Sequence, residues 1–354
     1  MQRRSLLLGA AGGALAQNSK QTVRLPQKIR LAFIGGDGHA GEILSPLPLL
    51  PDVEIVAFTE SEESGKTIKS PRASKAKKYD DYRRMLDQEK PDVVAVLTPN
   101  GGRAQAVMAC TERKINWIAE KPLAISREEW SRVKKSILAS GTKFSILLPM
   151  RFVPQFLAMK QIVSSGAIGE VAQISTQKSY KAGNRAKWMR EPATYGSTIL
   201  WIGIHMIDIM RFASGRDMTE VFSYQTQVLP PPGIGKMENT TASVFRLDNG
   251  GVATLHMDYY RPESAPTHGD DRLRLAGPKG VVEWMASTGL TLNVEGRKPE
   301  VVKDLPEEQS VFIDFLEAAY NGKQPLLTQE DVFRANEVTI AAHEAAVKHA
   351  IVKA

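Results

Sequence analysis

A group of glycines directly after a short apolar run has the spacing of a phosphate-binding loop. Gly36, Gly38 and Gly41 form a complete GxGxxG motif, with His39 and Ala40 as its last two variable residues. The first glycine permits a tight turn, the second lets the main chain approach a pyrophosphate, and the third allows close packing of helix on strand. The start of the long helix that should follow favours negative charge. The motif therefore predicts a dinucleotide site.

An acidic residue follows this loop at the distance expected for a ribose contact. Glu60 ends the second apolar run, about 20 residues after the glycines, where a carboxylate can accept from both ribose hydroxyls. A carboxylate there repels a 2′-phosphate, so NAD is favoured over NADP. Gly35 leaves the register open, because the first glycine of the motif could be residue 35 or 36. The alternative is a glycine-rich turn that binds no ligand.

Two further apolar runs end in polar sequences, TPN and EKP. If the runs are parallel strands, their carboxyl ends meet at the edge of the sheet where ligands bind. The cofactor-binding residues expected there are Thr98, Pro99, Asn100, Glu120 and Lys121. A lysine held beside a cationic nicotinamide ring should have a lowered pKa, and it can polarise or deprotonate a hydroxyl. The alternative is a surface lysine in a turn.

A glycine-rich approach leads into an apolar helix that carries one histidine. Trp201 and His205 are four residues apart, so they share one face of that helix. A histidine on so apolar a helix is by default a core residue, but the glycine-rich approach favours a site residue here. Asp208 is interpreted as structural. The side chains expected to border a substrate cleft are Arg151, Tyr180, Lys187, Trp188, Arg190, Trp201 and His205. Basic and aromatic groups suit a carbohydrate or an acidic sugar.

Taken in order, these motifs resemble the Gfo/Idh/MocA family, which includes glucose-fructose oxidoreductase and inositol dehydrogenase. The resemblance runs from about residue 29 to the C-terminus and includes SGAIGE at residues 165–170. It implies that Lys121 lies beside the nicotinamide and the substrate, and that His205 assists it as a second catalytic residue. The segment 196–208 is similar to the family's GGxLxDxGxHxxD helix, but Trp201 stands where dehydrogenase members have an aspartate. Arg103 stands where many members have a histidine.

The pattern of elements predicts an α/β protein with two domains. In residues 29–150, strands alternate with helices, which predicts a doubly wound parallel sheet. By the family resemblance this is an NAD(P)-binding Rossmann domain. Residues 151–354 carry long strand-like runs joined by hairpin signals such as DNGG and GPKG, which predicts a substrate-binding α+β domain with a large, mainly antiparallel sheet. One face of that sheet is expected to mediate homo-oligomerisation.

The N-terminus predicts an export signal. Arg3 and Arg4 precede an apolar stretch and an A-x-A cleavage pattern, so residues 1–16 are interpreted as a twin-arginine type signal peptide and residues 17–28 as a linker. This predicts a periplasmic or otherwise exported protein that acquires its dinucleotide before export. The alternative is a disordered leader with chance arginines.

Composition argues against several other classes of protein. The net charge of +7 is modest, and no nucleic-acid recognition element accompanies the basic run at residues 66–84. One cysteine allows neither an internal disulfide nor a thiolate metal site, and the HExxH and P-loop tests both fail. No metal, nucleic acid or stable membrane insertion is therefore expected.

Three functional hypotheses remain open. The first is an NAD(P)-dependent oxidoreductase that acts on a sugar, cyclitol or related hydroxy compound and holds its cofactor tightly. The second is an exported glycosidase that uses bound NAD for transient oxidation and elimination. The third is a non-catalytic dinucleotide-binding protein on the same scaffold.

Overall fold

The structure is a computed structural model that describes residues 22–62 and 64–354. The predicted signal peptide, residues 1–16, and the first part of the predicted linker lie outside the described residues. The architecture predicted from the sequence is confirmed: one parallel sheet is followed by a larger, mainly antiparallel one.

The first sheet has six strands, which all run parallel to their neighbours. They are β1 (Ile29–Gly35), β2 (Val53–Thr59), β3 (Lys77–Tyr79), β4 (Val93–Leu97), β5 (Asn116–Ala119) and β6 (Phe144–Ile146). Their spatial order is β3-β2-β1-β4-β5-β6, so the chain reverses direction across the sheet between β1 and β4. A ligand is expected in the crevice at the carboxyl ends of these two strands. Only β3 had no predicted counterpart.

The helices of this domain are α1 (Gly41–Leu44), α2 (Tyr82–Glu89), α3 (Asn100–Glu112) and α4 (Arg127–Ser140). The side chains of Asp81 and Ser126 cap α2 and α4 by accepting main-chain hydrogen bonds. The sequence predicted a longer helix after the glycine motif, but α1 has only four residues. Pro46 and Pro48 explain the difference, since neither can donate the main-chain hydrogen bond that would extend the helix.

The second sheet has nine strands in the order β14-β13-β12-β11-β7-β10-β9-β8-β15. They are β7 (Gln173–Lys181), β8 (Met218–Thr226), β9 (Thr240–Leu247), β10 (Val252–Arg261), β11 (Gly269–Gly277), β12 (Gly280–Met285), β13 (Gly289–Val294), β14 (Glu300–Val301) and β15 (Val352–Lys353). Among the described strands of this sheet, β7 and β10 are the one parallel pair. The short edge strands β14 and β15 were not predicted.

The remaining helices cover one face of the second sheet and return to the first domain. They are α5 (Pro154–Ser164), α6 (Pro192–Tyr195), α7 (Ile204–Ser214), α8 (Val311–Tyr320) and α9 (Gln329–Lys348). A π-helical segment, Ile199–Gly203, leads directly into α7. Phe312 and Phe333 pack in the core of the first domain, whereas Val338 and Ala342 pack in the core of the second. Helix α9 therefore spans both cores and holds the two sheets together.

In the described part of the chain, no helix is long and apolar enough to cross a membrane. Among the same residues, no group of three or more histidine, cysteine, aspartate or glutamate side chains is arranged to hold a metal ion.

Candidate active site

The glycine loop lies at the carboxyl end of β1 and is packed so tightly that side chains are excluded. Gly35 has φ +77°, and a Cβ there would lie 2.6 Å from the Leu97 oxygen. A Cβ on Gly36 would lie 2.4 Å from the main chain of Thr67. Gly38 has φ +70°, and its Cβ would lie 2.3 Å from the Glu120 carboxylate. Residues 35 and 36 must therefore both be glycine, which explains why the sequence allows two registers of the motif.

Glu60 follows β2 beside an open cavity at the adenosine end of the expected site. The cavity is lined by residues that include Ile34, Glu60, Tyr82, Thr98 and Gly102. The Glu60 carboxylate is about half exposed and lies 2.6 Å from the ammonium of Lys78. The sequence did not indicate this lysine, because it comes from β3. The position of Glu60 suits a ribose contact, with Lys78 as its partner when no ligand is bound.

Asp37, the residue between the first two motif glycines, connects the two domains. Its buried carboxylate accepts a hydrogen bond of 2.6 Å from the Ser64 hydroxyl and one of 3.3 Å from the Trp188 indole nitrogen. The Lys66 ammonium lies 3.8 Å away. Trp188, which the sequence placed at the substrate cleft, thus packs against the glycine loop from the second domain.

Glu120 lies completely buried under the same loop. Its Oε1 accepts from the His39 main-chain N–H and lies 2.6 Å from His39 Nδ1. Burial alone would raise the pKa of the Glu120 carboxyl, but His39, together with Lys121 and Arg103, lowers it to about 2. The carboxylate therefore stays charged. It satisfies one of the loop amides that a phosphate could otherwise contact.

Lys121 is 1% exposed, and it reaches the helix that carries Trp201. Its Nζ donates a hydrogen bond of 2.8 Å to the Trp201 main-chain oxygen and lies 3.2 Å from the centre of the Trp201 ring. Burial, with the positive charges of Arg103 and Lys178 nearby, lowers the pKa of this amine to about 7, against the opposing effect of Glu120. Lys121 can therefore act as an acid or a base at neutral pH.

His205 lies close to Lys121 and to the glycine loop. Its ring is 5.3 Å from the His39 ring in an edge-on arrangement, and its buried Nδ1 has no hydrogen-bond partner among the described residues. Burial, helped by the nearby positive charge of Lys121, lowers the pKa of His205 well below its usual value. A neutral imidazole with a free ring nitrogen can accept or donate a hydrogen bond to a ligand.

Trp201 lies in the π-helical segment, with its ring against the amine of Lys121. The ring is 8% exposed, packs edge-on against Trp188 at 5.4 Å and lies under the Lys121 amine. Single π-helical turns occur frequently at functional sites. Where the family resemblance implies an aspartate, this chain therefore places an aromatic face against the Lys121 amine in place of a carboxylate.

Hydrogen bonds at the TPN sequence connect the end of β4 with the end of β5 and with the second domain. Asn100 donates a hydrogen bond of 2.7 Å to the Tyr195 oxygen and accepts one of 2.9 Å from Arg103. Arg103 also donates to the main-chain oxygens of Thr98 and Pro122. The Asn100 side chain is thus committed to protein contacts, and the departure from the family at Arg103 has a structural role.

Arg151, predicted at the substrate cleft, lies in a buried ion-pair cluster. Its guanidinium donates to both carboxylate oxygens of Asp208, at 2.6 to 3.0 Å, and to Asp331 at 2.9 Å. Asp208 therefore has the structural role that was expected from the sequence.

The other residues predicted at the substrate cleft lie in different surroundings. Tyr180 lies near Lys178, with its ring 5.0 Å from the lysine amine. Lys187 is exposed to solvent, and Arg190 hydrogen-bonds its own loop at Arg185.

Several residues of this site were missed at the sequence level. They are Asp37, Lys78 and a buried ion pair between Lys178 on β7 and Asp271 on β11. The one local signal was the period of two along β7, which puts Lys178 on the same strand face as Ile174 and Thr176. The structure shows that this face is buried.

The residues present fit a dinucleotide at both ends of the site. The hydroxyls of Thr59, Ser61 and Thr98 are buried at the carboxyl edge of the sheet, and Nδ1 of His205 is buried in α7. None of these four atoms has a partner in the described chain. Buried polar atoms of this kind need a partner, which a bound ligand can supply. Glu60 and its cavity would hold the adenosine end, and Lys121 and His205 would face the nicotinamide end.

Comparison with known proteins agrees with this geometry. Residues 29–147 match the family profile described as oxidoreductase family, NAD-binding Rossmann fold, and residues 156–283 match the GFO/IDH/MocA C-terminal domain. A solved oxidoreductase structure from Thermotoga maritima is 31% identical, covers 92% of this chain and 100% of its own, and superposes with a TM-score of 0.86.

Two curated relatives are named for reactions at hydroxyl groups. Myo-inositol 2-dehydrogenase of Thermotoga maritima is 25% identical over 71% of this chain and 74% of its own. The NADP-dependent D-xylose 1-dehydrogenase 2 of Haloferax volcanii is 22% identical over 91% of this chain and 98% of its own. One of these names specifies NADP, so relationship alone does not distinguish between the two cofactors.

Proposed function

The chain belongs to the Gfo/Idh/MocA family of NAD(P)-binding oxidoreductases. We propose that it transfers a hydride from a sugar, cyclitol or related hydroxy compound to a tightly held dinucleotide. The observation that carries this proposal is the position of Lys121. Its amine is buried at the end of a central strand, has a pKa of about 7 and lies next to His205.

The chain's own groups would manage the hydroxyl proton. The bound nicotinamide ring supplies the hydride acceptor. The neutral amine of Lys121 takes the hydroxyl proton, and the Trp201 oxygen fixes the direction of that amine. His205 offers Nδ1 to the same or a neighbouring hydroxyl. Trp188 and Trp201 exclude water from this region, because both rings are buried against each other.

NAD is proposed as the preferred cofactor, because Glu60 would accept from the adenosine ribose and repel a 2′-phosphate. Export through the predicted twin-arginine signal is also proposed. An exported enzyme has no ready supply of free NAD, which is the reason for proposing tight retention and recycling of the cofactor within the site.

Self-association through the outer face of the second sheet is a further part of the proposal. That face exposes the large apolar side chains of Tyr224, Val244, Val252 and Ile351. Sedimentation of the wild type and of Val244→Glu would test it. A monomeric wild type would refute the oligomer.

The glycosidase hypothesis is kept because of one observation, the aromatic side chain of Trp201 in place of an aspartate. Transient oxidation needs the same lysine but returns the hydride to the product, so NADH would not accumulate. The two functions therefore differ in a measurable way.

The test uses protein without residues 1–16 and examines cofactor content first. NAD(H) released on denaturation supports tight retention. The protein is then assayed with NAD or NADP against myo-inositol, D-xylose and D-glucose, and with aryl glucosides, with Lys121→Met as the inactive control. With a polyol and no second substrate, conversion of the bound NAD to NADH supports the oxidoreductase, whereas leaving-group release without NADH supports the glycosidase. Failure to bind either dinucleotide would refute both.

A further inference from the structure

A buried ion pair lies on the second sheet next to the candidate active site. Lys178 on β7 stands directly opposite Asp271 on β11, so both side chains leave the same face of the sheet. Lys178 Nζ lies 2.6 Å from Asp271 Oδ2, and the lysine is only 2% exposed. The sulfur atoms of Met150 and Met206 lie 3.7 and 3.9 Å from the same Nζ.

This pair leaves hydrogen-bonding capacity unused. Asp271 Oδ1 and the hydroxyl of Thr176 are both buried and have no partner in the described part of the chain. Thr176 precedes Lys178 by two residues and therefore shares its face of the strand. A buried ion pair adds little to stability by itself, and a buried oxygen without a partner is unfavourable. This arrangement points to a ligand that supplies the missing hydrogen bonds.

Lys178 lies near the reaction centre, since Met206, whose sulfur is 3.9 Å from its Nζ, directly follows His205 in α7. The charge of Lys178 is among those that lower the pKa values of Lys121 and His205, where burial is the larger cause. The Asp271 side chain is 19% exposed, so this end of the pair is partly accessible to solvent. The ring of Tyr180 lies 5.0 Å from Lys178 Nζ.

We propose that Lys178 and Asp271 form a clamp for a vicinal diol of an uncharged polyhydroxylated ring. One hydroxyl oxygen would accept from the Lys178 ammonium, and its neighbour would donate to Asp271 Oδ1. Because the pair is neutral overall, it suits an uncharged polyol better than a sugar acid. The inference deepens the proposed function, on which it rests, because a ring held here would present another carbon to Lys121.

The test uses the two methionines as reporters that do not depend on turnover. The methyl groups of the 12 methionines are labelled with carbon-13, and the Met150 and Met206 signals are assigned with Met150→Leu and Met206→Leu. Myo-inositol is titrated into the full-length protein with NADH, which cannot oxidise it. Both methyl signals should move in a saturable way. Cyclohexanol, which has a single hydroxyl, should leave them unmoved.

The variant Asp271→Asn should weaken myo-inositol binding roughly 10-fold or more, since it replaces a hydrogen bond to a charged group. The matched control is Asp270→Asn. Asp270 is the neighbouring residue on the opposite face of β11 and pairs with Arg272 at 2.8 Å. The Asp270→Asn variant should bind myo-inositol as tightly as the wild type does. If Asp271→Asn does not fold, Lys178→Met combined with Asp271→Leu keeps an apolar pair of similar volume and should bind equally poorly.

The outcomes separate this inference from the proposed function. Methyl shifts without hydride transfer from any polyol would support the clamp and refute the oxidoreductase. Hydride transfer from myo-inositol with unmoved Met150 and Met206 signals would overturn the clamp and leave the function in place. Undiminished binding by folded Asp271→Asn, or no binding by the wild type, would also overturn the clamp.

Discussion

The side-chain amine of Lys121 lies 2.8 Å from the main-chain oxygen of Trp201, directly above the ring of the same residue. One tryptophan thus supplies the amine with a hydrogen-bond acceptor and an apolar cover. A carboxylate in this place would favour the charged ammonium, whereas the buried position lowers the pKa of Lys121 to about 7. The replacement of the family's aspartate therefore leaves a lysine that is largely neutral above pH 7.

The ionisation of Lys121 predicts the pH dependence of oxidation. Only the neutral amine can take the hydroxyl proton, so kcat/KM for polyol oxidation should rise with pH and level off above about 7. Lys121→Met should lower turnover about 100-fold or more. The exposed Lys143→Met is the control and should keep the full rate. A rate independent of pH from 5 to 9 would exclude this base.

The same amine predicts a pH-dependent change in stability. Its pKa is lowered from 10.5 to about 7, so the unfolded chain binds more protons between these values, and burial destabilises the folded protein most below pH 7. Relative to the wild type, Lys121→Met should therefore gain stability at pH 7 and gain less as the pH approaches 10. Urea unfolding at several pH values measures this. An equal difference at all pH values would contradict the lowered pKa.

Trp201→Asp should restore a carboxylate next to Lys121 and raise the pKa of its amine. The rise in kcat/KM should then occur at least one pH unit higher. Loss of a large buried side chain should also reduce the free energy of unfolding by about 3 to 5 kcal/mol. Trp201→Phe keeps an aromatic ring and the main-chain oxygen, so its pH profile should match that of the wild type. An unshifted profile for a folded aspartate variant would contradict the role given to the ring.

Much of this site was visible in the sequence, because its motifs are local. The glycine loop, Glu60 and Lys121 each follow an apolar strand, and a parallel sheet brings strand ends to one edge. The pairing of Lys178 with Asp271 spans 93 residues, and that of Trp188 with Asp37 spans 151. The first contact joins two strands of one sheet and the second joins the two domains, so both depend on the tertiary fold and neither follows from a local sequence pattern.

Two further differences between prediction and structure arose because a sequence feature favoured another interpretation. Pro46 and Pro48 were visible in the sequence, but the glycine motif predicted a long helix through them. Arg151 has the charge expected of a substrate contact, and only the fold shows that Asp208 and Asp331 already bind it. Basic residue type alone therefore cannot separate a ligand contact from a buried ion pair.

Glu60→Ala should change cofactor preference. Removal of the carboxylate should weaken NAD binding roughly 10-fold, because hydrogen bonds to a charged group are lost. NADP should bind more tightly than before, since the repulsion disappears and Lys78, now 2.6 Å from Glu60, becomes available to a phosphate. Calorimetry with both dinucleotides measures the ratio. Glu54→Ala, an exposed glutamate at the other end of β2, is the control. An unchanged NAD to NADP ratio would place the ribose contact elsewhere.

Arg151→Met tests whether the buried ion-pair cluster is structural or contacts substrate. The guanidinium binds Asp208 in α7 and Asp331 at the start of α9, so its loss leaves a buried carboxylate without its partner. The free energy of unfolding should fall by about 3 to 5 kcal/mol. KM for any polyol substrate should stay within about twofold of the wild type at a temperature where the variant is folded, because no atom of Arg151 faces the ligand in the proposed arrangement. Adding Asp208→Asn should recover part of the lost stability by removing the unpaired charge. A large rise in KM with unchanged stability would instead assign Arg151 to substrate binding.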